Sequence, residues 1–241
     1  MDINVIVDWK RFLILYISSI FGLFMVLLYV VGSSLNFGFP FTVLVMAQSL
    51  GALVGNAVLY VGAILLGLYC SKKMGFRVLG KINIKEVIFS MKIGLFLGVI
   101  LGAISTIAEY SMILNLRSMS THLTICGMFL SVYGGINEEV IFRLFLMGSF
   151  AYLLSELGIK RAVEVSLVTS PILFAIGHTP VSMEFISKKT IMSMLFVSNF
   201  IFGLVFGYIY WKKGLEYAMV SHFSLDFVLY VVIPLSVILC H

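Results

Sequence analysis

Glu138, Glu139 and Arg143 stand in the run GGINEEVIFRLF, residues 134–145, among Ile, Val, Phe and Leu. Further along, FAIGH ends in His178, and HFSLDF holds His222 and Asp226. Carboxylates and imidazoles are the side chains that activate water and move protons in hydrolysis. Helical spacing sorts these groups. Glu139 and Arg143 are spaced i, i+4, share a face and are expected to form an ion pair. Glu138 lies about 100° round the helix from Glu139 and has Phe142 at i+4, so its partner has to come from another helix. His222 and Asp226 are again spaced i, i+4.

What makes these residues informative is where they sit. The chain is 61% hydrophobic and 11% charged, with mean hydropathy +1.12, against about 45–50% apolar and 25% charged for a soluble domain. Apolar stretches of about 20 residues, the length that crosses a bilayer core, recur along the whole chain. The fold class is therefore all-α, a multi-pass transmembrane bundle of seven to eight helices. A β-barrel would show short alternating segments instead. The first run, Phe12 to Val31, is too long for a signal-peptide core and has no small-residue cleavage site after it, so it is expected to be a retained span.

A charge near the bilayer centre costs about 2.5–3.5 kcal/mol. Three unpaired charges in one helix would cost about 8 kcal/mol, comparable to the whole stability of a domain. Glu138, His178, His222 and Asp226, from three separate helices, are thus expected to meet in one polar intramembrane cavity. The imidazoles should lie within about 12 Å of Glu138, which leaves room for a water and a substrate carbonyl.

The expected spans are 11–33, 41–69, 86–108, 121–154, 163–178, 190–211 and 214–239. The fourth is long, and the Gly134-Gly135 pair is a candidate break within it. Lys10, Arg11, Lys72, Lys73, Arg77, Lys81, Lys85, Lys160, Arg161, Lys212 and Lys213 all fall on one side of this drawing. The positive-inside rule makes that side cytoplasmic, with the N-terminus inside and the C-terminus outside. Arg117, Lys188 and Lys189 fall on the other side. Trp9 and the Tyr210-Trp211 pair are placed at cytoplasmic ends, as interfacial aromatics. The net charge of +5 fits basic loops facing anionic lipid, not nucleic acid.

Plainer roles exist for single residues. A Glu139–Arg143 pair can be an inter-helix fastener as well as part of a reaction centre. His122 and His241 are expected to be hydrogen-bonded packing residues. Cys70, Cys126 and Cys240 have no CxxC-type neighbour and read as small apolar residues.

Three motifs in order, EExxxR at Glu138 to Arg143, FxxxH at Phe174 to His178 and HxxxD at His222 to Asp226, resemble the CAAX protease and bacteriocin-processing family of intramembrane endopeptidases, the CPBP or Abi proteins. The segment FGLVFGYIYWKKGLEYAMVSH also looks like that family's approach to its last motif. The resemblance covers about residues 120 to 235, and Asp226 stands where prenyl-protein proteases of eukaryotic type carry Asn. It implies residues 120–241 as a catalytic core, with 1–119 as N-terminal transmembrane helices without a recognised motif. It also implies Glu138 as general base. His178 would share the water or protonate the leaving amine, and His222 and Asp226 would stabilise the oxyanion. Glu139 and Arg143 would fix the helix. A carboxylate in a low-dielectric cavity is a competent base near neutral pH.

The implied partners are peptide or protein substrates in the membrane and the bilayer itself. No cofactor is required, although Glu138, His178 and His222 with a water would also make an open tetrahedral Zn2+ site. The metal-free alternative is favoured because no HExxH occurs. Two other classes compete. A proton- or ion-coupled transporter also needs intramembrane Glu, His and Asp, but paired repeats with broken helices are not visible. A non-catalytic immunity or scaffold protein would have no need of every one of these groups.

Overall fold

The apolar runs fold as helices because a bilayer offers the backbone no water, and an α-helix satisfies its peptide groups within one segment. The computed structural model describes residues 8–36, 43–108, 121–185 and 189–239. Arg117, Lys188, Cys240 and His241 lie outside the described residues, as do the side chains of His122 and Lys189. Among the described residues there is no strand, and they form seven helical rods. These are α1 (Trp9–Asn36), α2 (Val43–Lys73), α3 (Ile84–Ala108), α4 (121–156), α5 (Ala162–Phe185), α6 (Lys189–Lys212) and α7 (215–239). Each expected span falls on one rod, with ends that differ by a few residues.

Segments of α1, α2, α3, α6 and α7 are long and apolar enough to cross a membrane. α5 carries a shorter apolar stretch, Ala162–His178, and α4 carries the three clustered charges. Large apolar side chains such as Leu13, Ile17, Val58 and Phe96 are exposed around the bundle, as they are where lipid is the solvent. The chain is a multi-pass membrane protein.

Local chemistry sets the helix ends. Asp8 Oδ1 accepts the Arg11 N–H at 3.1 Å and starts α1. Asn83 Oδ1 accepts the Lys85 N–H at 3.0 Å and starts α3. Both are N-caps. α2 ends at Gly75, whose φ of +71° suits a residue without Cβ. The Phe76 N–H donates to Ser71 O at 2.8 Å and the Gly75 N–H to Lys72 O at 3.4 Å, the paired bonds of a Schellman end.

Two interfaces position α7, which carries His222 and Asp226. The first is a stripe on α3. Gly94, Gly98 and Gly102 recur every four residues, and a Cβ on any of them would run into α7 at Ser221, Leu225 and Val228, or Ile233. Small residues let the two backbones approach this closely. The second interface lies at the lysine-rich end. Glu216 accepts the Leu79 N–H at 3.0 Å and the Gly80 N–H at 3.1 Å, and pairs with Arg77 at 3.3 Å. The Tyr217 hydroxyl accepts the Asn83 N–H and an Arg77 N–H, both at 2.9 Å. Lys213 pairs with Glu86, and the Leu215 N–H donates to Arg77 O at 3.1 Å. The α2–α3 and α6–α7 connections therefore touch, at one end of the bundle.

Two expectations change. α4 does not break at Gly134-Gly135; it runs through as a continuous helix with wider turns. Tyr210 is not an interfacial aromatic. It is fully buried, and its hydroxyl shares a 2.6 Å hydrogen bond with Ser71. A buried phenol needs such a partner.

Candidate active site

The site begins with an irregularity in α4. The turns are π-helical over Gly134–Glu138 and Val140–Met147. An i→i+5 turn holds more residues than the 3.6 of an α-helix, so neighbouring side chains are rotated by less than about 100°. Glu138 and Glu139 are brought nearer to one face, and they take opposite nitrogens of the same imidazole. Glu139 Oε1 is 2.7 Å from His222 Nδ1, and Glu138 Oε2 is 3.7 Å from His222 Nε2. The glycines supply the space. A Cβ on Gly134 would overlap the Asp226 carboxylate, and one on Gly135 would crowd Phe223 and the Met219 carbonyl.

The supporting groups are shut away. Side-chain exposure is 0% for Glu139 and 2% for Arg143, whose Nη1 lies 3.0 Å from Glu139 Oε1. That contact is an ion pair without hydrogen-bond geometry. The Arg143 guanidinium also sits 4.7 Å from the Phe174 ring centre and 5.4 Å from that of Phe206, within cation–π range. Phe206 in turn stacks on His222 at 4.7 Å and 21°. His222 is thus held at Nδ1 by a carboxylate and on its face by an aromatic ring. The carboxylate at Nδ1 is Glu139; Asp226 lies on the other side, with Oδ2 3.6 Å from Nε2.

The remaining groups face outward from this support. The His178 Nδ1–H donates to the Phe174 carbonyl one turn back, at 2.8 Å, which turns Nε2 to 3.5 Å from Glu138 Oε2. Phe174 also places its ring 4.3 Å from the imidazole. Side-chain exposure is 34% for His178 and 18% for Glu138, so the cluster is open on that side. Both rings commit Nδ1–H elsewhere. Two Nε2 atoms, Glu138 Oε2 and Asp226 Oδ2 then converge at 3.5–3.7 Å, at or past the limit of a direct hydrogen bond. Atoms that are all acceptors can share such a space only through protons, a bridging water or a cation.

The same atoms bear on a metal. Bonds of about 2.0–2.1 Å give a tetrahedron with edges of about 3.3–3.4 Å. The Glu138–His178 and Glu138–His222 edges are 3.5 and 3.7 Å, and no group of three or more His, Cys, Asp or Glu among the described residues is arranged to hold a metal ion. As placed, these two edges of the open tetrahedral alternative are longer than zinc requires. A cavity of about 200 Å³ lined by Asp8, Arg11, Leu68, Lys72, Gly75, Phe76 and Val78 lies elsewhere and shares no residue with the cluster. Cys70 and Cys126 are buried and form no disulfide.

The structure brings together all six residues singled out in the sequence. Sequence reasoning missed the Glu139–His222 bond, the Phe206 stack and Asn137. Asn137 is fully buried, and its only signal in the sequence was a third polar residue beside the glutamate pair.

No curated protein and no solved structure matches the chain. One family model does, that of the type II CAAX prenyl endopeptidases, Rce1-like, over residues 120–228. Every group of the cluster falls within that stretch. Residues 120–228 therefore resemble an Rce1-like domain, that of the type II CAAX prenyl endopeptidases.

Proposed function

We propose that this protein is an intramembrane endopeptidase that hydrolyses peptide bonds of membrane-associated or secreted peptide substrates. The observation that carries the proposal is the convergence of Glu138, His178, His222 and Asp226 on one partly open space, backed by buried groups that orient them. Glu138 takes a proton from water, and the hydroxide attacks the substrate carbonyl carbon. His222, protonated on both nitrogens between Glu139 and Asp226, donates Nε2–H to the oxyanion. Asp226 holds the charge of the ring or, when protonated, donates as Asn would. The proton on Glu138 passes, directly or through His178, to the amine nitrogen as the C–N bond breaks. Glu139 and Arg143 support this arrangement without touching substrate. No metal enters any step.

By the positive-inside rule the lysine-rich end of the bundle faces the cytoplasmic side of a cell membrane, with the N-terminus inside and the C-terminus outside. The substrates that suit such a site are the membrane-associated ends of other proteins, CAAX-type ends among them. Comparative proteomics of membranes carrying wild type or Glu138→Gln tests the proposal. Precursors should accumulate only with the variant. Identical peptide profiles, with the variant inserted at normal level, would overturn it.

A further inference from the structure

We infer that Asn137, tied to Ser19 of α1 and Tyr60 of α2, is a positioning residue for Glu138, which makes the N-terminal helices outside residues 120–228 part of the working site. The inference rests on the general-base role proposed for Glu138. Asn137 immediately precedes Glu138 in the first π-helical stretch of α4. Its Nδ2–H donates to the Ser19 carbonyl at 3.0 Å. The Tyr60 hydroxyl donates to the Asn137 carbonyl at 3.3 Å. Ser19, Tyr60 and Asn137 are all buried. On the α1 side, a Cβ at Gly22 would overlap Asn137 Oδ1, so the carboxamide lies flush against the helix backbone.

A π-helical turn is rare and occurs mostly as a single-turn bulge at functional sites. Contacts from outside the helix have to hold it. Here α1 fixes the side chain of Asn137 and α2 fixes its carbonyl. Glu138, one residue on, inherits both constraints. Its Oε2 has to hold 3.5 and 3.7 Å to two rings on other helices, a geometry with little tolerance. A buried amide in a membrane helix can also be a plain fastener. Its place next to Glu138, inside the widened turn, gives it a second consequence.

The test reads the position of Glu138 without needing a substrate. The chain has four histidines, so imidazole 15N resonances of the detergent-solubilised protein can be assigned by single His→Gln variants. Glu138→Gln should move the His178 and His222 signals. Asn137→Ala and Tyr60→Phe should move the same two part of the way. Gly22→Ala should do likewise, yet add nothing in an Asn137→Ala background, where the added methyl has room. Cleavage of an internally quenched farnesylated CAAX peptide should show kcat lowered about tenfold with KM unchanged in Asn137→Ala and Tyr60→Phe, as expected for a small misplacement. Unmoved His178 and His222 signals in both variants would overturn the inference; Tyr60→Phe keeps the ring and guards against misfolding of the Asn137 variant. Full cleavage by Glu138→Gln would instead sink the proposed base, and the resonance shifts would stand apart from it.

Discussion

Two polar clusters occupy α7 within a few residues of each other, and they are built on opposite plans. At its first turn, Glu216 and Tyr217 are held by several donors each: the carboxylate takes two backbone N–H groups and Arg77, and the phenol takes two donors. Two turns on, His222 and Asp226 face Glu138 and His178 across 3.5–3.7 Å. The first cluster closes on itself, as a structural joint does. The second is closed only at the back, where Glu139, Arg143 and Phe206 hold it, and keeps its facing acceptor atoms turned to one space. Satisfied groups fix a helix, whereas facing acceptors mark where something else has to bind.

The largest effect that this contrast predicts comes from the open cluster. Glu138→Gln keeps the shape and removes the proposed base, so cleavage should fall by 10²–10⁴-fold, the usual worth of general acid–base catalysis, while the protein inserts and unfolds as wild type does. A rate within a factor of two of wild type would remove the distinction between the clusters.

Glu139→Gln comes next and sharpens the comparison, because Glu139 belongs to the closed back of the open site. Losing its charge leaves Arg143 buried without its counter-ion, at a cost of about 3–5 kcal/mol. The His222 ring loses its orienting carboxylate, and turnover should fall about 10- to 100-fold by misplacement. Denaturant unfolding in detergent and the residual rate are both needed. A stable variant with full loss of turnover would move Glu139 from support into the chemistry.

The sequence made the open cluster easier to see than the closed one. Glu138, Glu139, Arg143, His178, His222 and Asp226 stand out because each is costly in lipid, and i, i+4 spacing is a local property. The spans were legible for the same reason, since hydropathy is written along the chain. What failed to show depends on distant parts meeting. The glycines at 134 and 135 looked like a break, yet they are room for Asp226 and Phe223. The bond from Glu139 to His222 spans 83 positions, and the π-helical turn that permits it has no residue signature. Tyr210 looked interfacial from its place beside Trp211, but Ser71 draws it inward.

A smaller effect is expected at the closed joint. Glu216→Gln puts an amide NH2 where one carboxylate oxygen accepted a backbone N–H. Lost charge-assisted bonds of this kind are worth about 1.5–3 kcal/mol. The unfolding midpoint should drop, and cleavage per folded molecule should stay within a factor of two of wild type. Loss of turnover without loss of stability would show that the joint controls the site and is more than a fastener.

The smallest effect expected is that of a chelator. If Glu138 activates water by itself, purified protein should keep its rate after exhaustive chelation, with less than one zinc per chain by elemental analysis. If zinc is the Lewis acid, the bound water depends on the ion for its acidity, so chelation should stop turnover and one equivalent of zinc should restore it. Loss alone decides little, because chelators inhibit some enzymes nonspecifically; restoration is the decisive half. Donor spacing bears on this choice. Edges of 3.5 and 3.7 Å would have to contract to about 3.3–3.4 Å for zinc, whereas a water that donates to Glu138 and accepts from a protonated imidazole is better accommodated by the longer separations. Zinc-restored turnover, together with metal density about 2.0–2.2 Å from Glu138 oxygen and both histidine nitrogens, would replace the water at the centre of the open cluster by an ion, and the contrast with the closed joint would then be one between ligands and hydrogen bonds.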